Sequence, residues 1–177
     1  MAYTFDDNKS GLLQIANTDA GVTMANGTSA IPTPPAVLGQ VERAFDPTYG
    51  AGEFILLVGV ANTAVGSLVT YDGTTYQTTL AATTANQARP VAVAMSANGA
   101  GSFGWYQIEG TAVVAKTTGA KVNPTVAIGV VSTGKIGASA SGKEILGARS
   151  ANAATVASAT TTVAVVINRP HLQGRIT

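Results

Sequence analysis

From Glu53 onward, apolar residues recur with a period of two. Phe54, Leu56, Val58 and Val60 share one side of an extended chain, and Ile55 and Leu57 the other. A strand patterned this way is expected to be buried on both faces. The stretch SLVTY, then Asp72-Gly73, then TTYQTTL reads as a hairpin, because Asp-Gly is the preferred two-residue type I′ loop. That loop predicts Tyr71 opposite Thr74 and Val69 opposite Tyr76, with Val69, Tyr71 and Tyr76 on one face. Further strands are expected over Pro90 to Met95, over Phe103 to Glu109, over Thr111 to Lys116 after Gly110, around Val126, Ile128 and Val130, and around Val163, Val165 and Ile167. In the aromatic strand, Phe103 and Trp105 fall on one face and Tyr106 and Ile108 on the other. Arg169-Pro170 is expected to stop the last strand, since proline cannot donate to a ladder. Short strands separated by Gly, Asn and Ser turns predict an all-β domain: a sandwich, a jelly roll or a barrel-like sheet.

Composition sharpens that reading. Of 177 residues, 31 are Ala, 24 Thr, 20 Gly and 19 Val, whereas Leu occurs nine times. Amphipathic helices need Leu, Glu, Lys and Gln on repeating faces, so a helical bundle is excluded. Thr and Val are stiff at χ1 and suit a pleated, half-buried surface. Charged residues make up 11% of the chain, against a usual quarter, and the net charge is +1. A balance so close to zero gives no sign of a polyanion partner. A thinly charged Ala/Thr surface suits a subunit packed against neighbours. The charges are also segregated. Residues 1 to 80 hold seven acids against Lys9 and Arg43, and residues 81 to 177 hold eight bases against Glu109 and Glu144. Such halves are expected to meet between subunits or with a partner, or else to be loops that differ in sign.

The first 50 residues differ from the rest. Four of the seven prolines lie here, and Ser29 to Pro35 reads SAIPTPP, which biases the chain to an extended form. Residues 1–50 are therefore expected to be an extended arm, and 51–177 a β domain with a short C-terminal tail. The bulky residues of the arm, Phe5, Leu12, Leu13, Ile15, Ile31, Pro34, Pro35, Val37 and Leu38, are the expected partner contacts. The aromatic residues Trp105, Tyr106, Tyr71 and Tyr76 are the expected subunit-interface residues.

Cysteine is absent, which removes disulfides and thiolate metal sites. No basic, apolar leader pattern opens the chain and no run is apolar enough to span a bilayer, so a soluble protein away from membranes is expected. Gly99 to Gly104 fits G-x-G-x-x-G, but a strand-like WYQIEG follows where a phosphate-binding helix is required. Gly137 to Lys143 fits most of a Walker A loop, yet Glu144 stands where a Ser or Thr should hold Mg²⁺, and no Asp follows Asp72. Ser132 to Lys135 has the S-x-x-K spacing but strand-like flanks, not the helix that chemistry needs. His171 is the one histidine and lacks convergent ligands or a nucleophile motif. Aromatic residues are not interleaved with bases, against a single-strand nucleic-acid platform. No catalytic, cofactor or metal residue is expected, nor a nucleic-acid or membrane partner.

Three strings carry more information together: RAFDPTYGAGEF (43–54), NGAGSFGWYQIEG (98–110) and INRPHLQG (167–174). With GVANTAVGSLVTYDG (59–73) between them, they resemble the small head decoration, or cement, proteins of tailed bacteriophages. The resemblance implies a β-rich protein that self-associates, often as a trimer. It implies a place on the outer surface of an icosahedral head, bridging subunits of the major capsid protein, with assembly in the host cytoplasm. It implies no catalysis and no cofactor. A tail, fibre or receptor-binding structural component is the alternative that charge balance and β content also allow. An enzyme such as a polysaccharide depolymerase would need a cleft with converging carboxylates, for which the sequence carries no positive sign.

Overall fold

A computed structural model describes residues 4–5, 34, 36–124 and 126–175. Its strands are β1 (Thr4–Phe5), β2 (Val41–Asp46), β3 (Gly50–Val58), β4 (Leu68–Tyr71), β5 (Thr78–Leu80), β6 (Val91–Ala94), β7 (Phe103–Ala115), β8 (Ala127–Ser132), β9 (Lys135–Ala138), β10 (Glu144–Ser150) and β11 (Thr162–Leu172). Among the described residues there is no helix, and the strands form one sheet with antiparallel ladders. The protein is all-β, as its Thr/Val-rich alternation requires. The sheet is curled like a half-barrel rather than split into two facing layers.

The long β7 organises this curl. One of its edges takes β3 from Phe103 to Glu109. Its other edge takes β6 at Tyr106 and Gln107, then β11 from Glu109 to Ala115. The sheet therefore forks. One branch runs through β6 and β4 to β5, and the other through β11, β10 and β8 to β9. Each branch curls back on the chain. Gln77 makes a parallel bridge to Val58, and Ile136 makes one to Lys116.

Turn chemistry explains the hairpins. Between β2 and β3, Asp46 Oδ1 accepts from the N–H groups of Thr48 (2.7 Å) and Tyr49 (2.9 Å), while Pro47 presets its φ for the turn. Thr133-Gly134 closes the two-residue β8–β9 loop, Gly134 at φ 68°.

The β4–β5 hairpin corrects an expectation. Tyr71 lies opposite Thr78, and Val69 opposite Leu80, so the loop is longer than Asp72-Gly73 alone. Asp72 Oδ1 instead accepts from Thr74 and Thr75 N–H, both at 2.8 Å, in an Asx-type turn, and Tyr76 takes φ 56°. The side chain's local bonds outcompete the tight loop. Two further expectations change. Gly110 does not separate two strands: at φ 97° it kinks a continuous β7, and a Cβ there would lie 2.5 Å from Ala51 O. Arg169-Pro170 does not stop the last strand either. Here β11 leaves β7, Arg169 takes φ 41°, and the ladder to β10 resumes with His171 opposite Leu146. Proline is tolerated because the ladder is already irregular at that point. His171 thus sits in a strand and not in a tail. The boundary expected at residue 50 falls at the start of β3, inside the β2–β3 hairpin, since β2 is paired along its length with β3.

Three apolar clusters fill the curl. On one face of β3 and β7, Ile55, Leu57, Tyr106 and Ile108 pack with Val69, Ala92 and Ala94. On the other face, Phe54, Leu56, Phe103 and Trp105 pack with Ala44, and Ala36, Leu38 and Tyr49 cover them. This two-sided burial is what the alternation in residues 54–58 predicts. The branch from β11 to β9 encloses an aliphatic cluster including Val114, Ile128, Val130, Ile136, Ile145, Val163 and Val165. Lys116, 1% exposed, ties off that branch, with Nζ donating to the carbonyls of Thr117 (2.9 Å), Ala120 (2.6 Å) and Ser158 (3.3 Å). Backbone dipoles around a buried ammonium replace its water shell.

Candidate interaction surface

β2 alternates sharply. Its Ala44 and Asp46 are buried, whereas Val41 and Phe45 are 41% and 49% exposed, with Arg43 exposed between them. A strand reading apolar-charged-apolar on its open face presents contact area with one charge to set register. Across the ladder, Val41 lies opposite Ile55, Arg43 opposite Glu53, and Phe45 opposite Ala51. Glu53 in turn lies opposite Glu109 of β7, and Glu109 opposite Asn168 of β11. Two carboxylates facing each other repel. The Arg169 guanidinium relieves this by donating to Glu53 Oε2 at 2.5 Å. The Arg169 side chain is exposed and Glu53 half-buried, so the pair orients the surface more than it stabilises the fold.

Tyr71 and Tyr76 border the first apolar cluster and are half-buried there. Burial raises the Tyr71 phenol above its usual pKa, and the nearby Arg169 charge partly opposes this. Trp105 and Tyr106, expected at a subunit interface, are instead 1% and 0% exposed inside the chain's own core. Large aromatic rings on the paired strands β3 and β7 fill both faces of a two-sided strand pair. Burial also raises the Tyr106 phenol pKa.

Of the expected arm contacts, Leu12, Leu13, Ile15, Ile31 and Pro35 lie outside the described residues. Phe5 lies opposite Ala44 on the outer edge of β2. Pro34 is half-buried, and Leu38 packs on the chain's own Trp105 cluster. Val37, 75% exposed, faces outward. Sequence reasoning missed β2 itself as an edge, although VERAF carries the alternation that would have shown it. The opposed charges of the two halves meet in part within the chain, through Glu53 and Arg169.

The glycine strings resolve into turns and strands. Gly99 to Ser102 precede β7, which is a strand where a dinucleotide site needs a helix. Residues 139–143 turn from β9 into β10, and Ser132 faces Lys135 across the β8–β9 hairpin. A shallow depression of about 380 Å³ lies over the β10–β11 bulge, lined by Gly147, Ala148, Arg149, Val166 and Asn168. Among the described residues, no helix is long and apolar enough to cross a membrane.

No protein-family model, no curated protein and no solved structure matches this chain.

Proposed function

We propose that this chain is a structural virion protein: a decoration, or cement, protein on the outer surface of a tailed-phage head. In this reading it bridges subunits of the major capsid protein and self-associates, and its working part is a surface rather than a catalytic site. The observation that carries the proposal is the convergence of the three strings that resemble that family. RAFDPTYGAGEF forms the β2–β3 hairpin, NGAGSFGWYQIEG leads into and forms the first half of β7, and INRPHLQG forms the end of β11. Far apart in sequence, they become neighbours in one patch, joined by the Glu53–Arg169 pair across 116 positions. Exposed Val41 and Phe45 at its rim supply apolar contact area of the kind interfaces use.

The test is a quantitative gel of purified particles, with heating of heads made with and without the protein. The proposal expects a copy number comparable to that of the major capsid protein, and DNA release at lower temperature when the chain is missing. A few copies per particle would favour a tail or fibre component. Equal heat resistance would refute the cement role.

A further inference from the structure

We propose that the outer edge of β2 is a strand-accepting site, and that in the assembled state its occupant is the N-terminal strand Thr4–Phe5 of a second copy of this chain. This deepens the self-association part of the function proposed above.

The sheet has one end that the core chain does not close by itself. β5 and β9 are each bridged back to the body through Gln77 and Ile136. The outer edge of β2 is met instead by β1, two residues long, with Thr4 opposite Phe45 and Phe5 opposite Ala44. An edge strand is a template for pairing with another chain, and natural proteins cover such edges. Here the cover is a short strand on a long tether. Residues 6–33 separate it from Pro34. At about 3.4 Å per residue, those 28 positions reach at most about 95 Å. A folded body of this size is roughly 40 Å across. The tether is therefore long enough to deliver Thr4–Phe5 to a neighbour's β2.

Exchange keeps every ladder contact, because the same two residues meet the same edge in the same register. Only the entropy differs. A linker of 28 residues holds its own strand at an effective concentration on the order of millimolar, so a dilute chain pairs with itself. Neighbours fixed side by side meet the edge at a similar local concentration, and there exchange links copies into a network. The exposed Val41 and Phe45 beside the edge add contact area to that junction.

The chain lacks cysteine, so crosslinks can be placed cleanly. Full-length Thr4→Cys and Phe45→Cys proteins are mixed at millimolar concentration, oxidised and run on a non-reducing gel, with sedimentation run in parallel. Thr4→Cys mixed with Val131→Cys, on β8, sets the background. The proposal expects a disulfide-linked heterodimer from the first mixture, well above background, and internal closure of the double variant Thr4→Cys/Phe45→Cys in dilute solution. Oligomers without the heterodimer would overturn strand exchange and leave self-association standing. Monomers at every concentration would overturn both. A double variant that fails to close would overturn the register on which the inference rests.

Discussion

The two ends of the sheet are built differently. At one end, β9 folds back on the chain leaving β7. Ile136 bridges to Lys116, its carbonyl accepts from Thr117 N–H at 3.0 Å, and its side chain is fully buried. At the other end, β2 keeps Val41 and Phe45 exposed and is met by two residues from the far N-terminus. A barrel closes its edges, whereas an open sheet must manage them. The closed end is therefore structural, and the open end is the proposed contact surface. The difference separates residues that hold the fold from residues that carry the proposed function, and mutations should separate them as well.

The largest effect is expected at the closed end. Ile136→Ala should cost about 2–5 kcal/mol in urea unfolding, through lost burial and a residual cavity. A cost below about 1 kcal/mol would mean that end is not packed as described. Lys116→Met comes next. It leaves the carbonyls of Thr117, Ala120 and Ser158 without the ammonium they share, and a loss of about 1–3 kcal/mol is expected. An unchanged midpoint would show that water replaces the ammonium at no cost.

At the open end the sign of the contrast reverses. Phe45→Ser should shift unfolding of the isolated chain by only about 0.5 kcal/mol, as for other exposed positions. The same variant should bind heads measurably more weakly in a co-sedimentation assay. If it unfolds the chain as readily as Ile136→Ala, the two ends are not different in kind.

The smallest effect concerns the loop before β5. The Thr75 and Thr74 N–H groups hold the Asp72 carboxyl below its ordinary value of 3.8. A depressed carboxylate contributes stability that is present above the unfolded value and is lost as pH falls through the folded one. The difference between wild type and Asp72→Asn in urea midpoint should therefore be constant near neutrality and shrink below pH 3.8. A difference that grows on acidification would contradict the turn geometry.

Much of the fold was legible in the chain. Alternation in residues 54–58 and 103–108 showed which side chains face which cluster, and Thr/Val content excluded helices. What was hidden depends on partners far away in sequence. Gly110 reads as a break, but β3 on one side and β11 on the other hold β7 through it. Arg169-Pro170 reads as a stop, but β10 carries the strand past it. Asp72-Gly73 reads as a tight loop, but the Asp72 side chain bonds beyond it. The proposed contact surface was half legible. Most of the arm's expected contacts lie outside the described residues, and Trp105 and Tyr106 read as interface residues only because aromatic residues suit both cores and contacts. Deciding between those roles required the pairing of β3 with β7, which buries both rings.

The most direct test of the contrast is amide hydrogen exchange on the chain free in solution and bound to heads. Slower exchange confined to Val41–Asp46 and its surroundings, with Lys135–Ala138 unchanged, is the result expected if the open end is the interface. Protection gained at Lys135–Ala138 while Val41–Asp46 stays as in the free chain would contradict it.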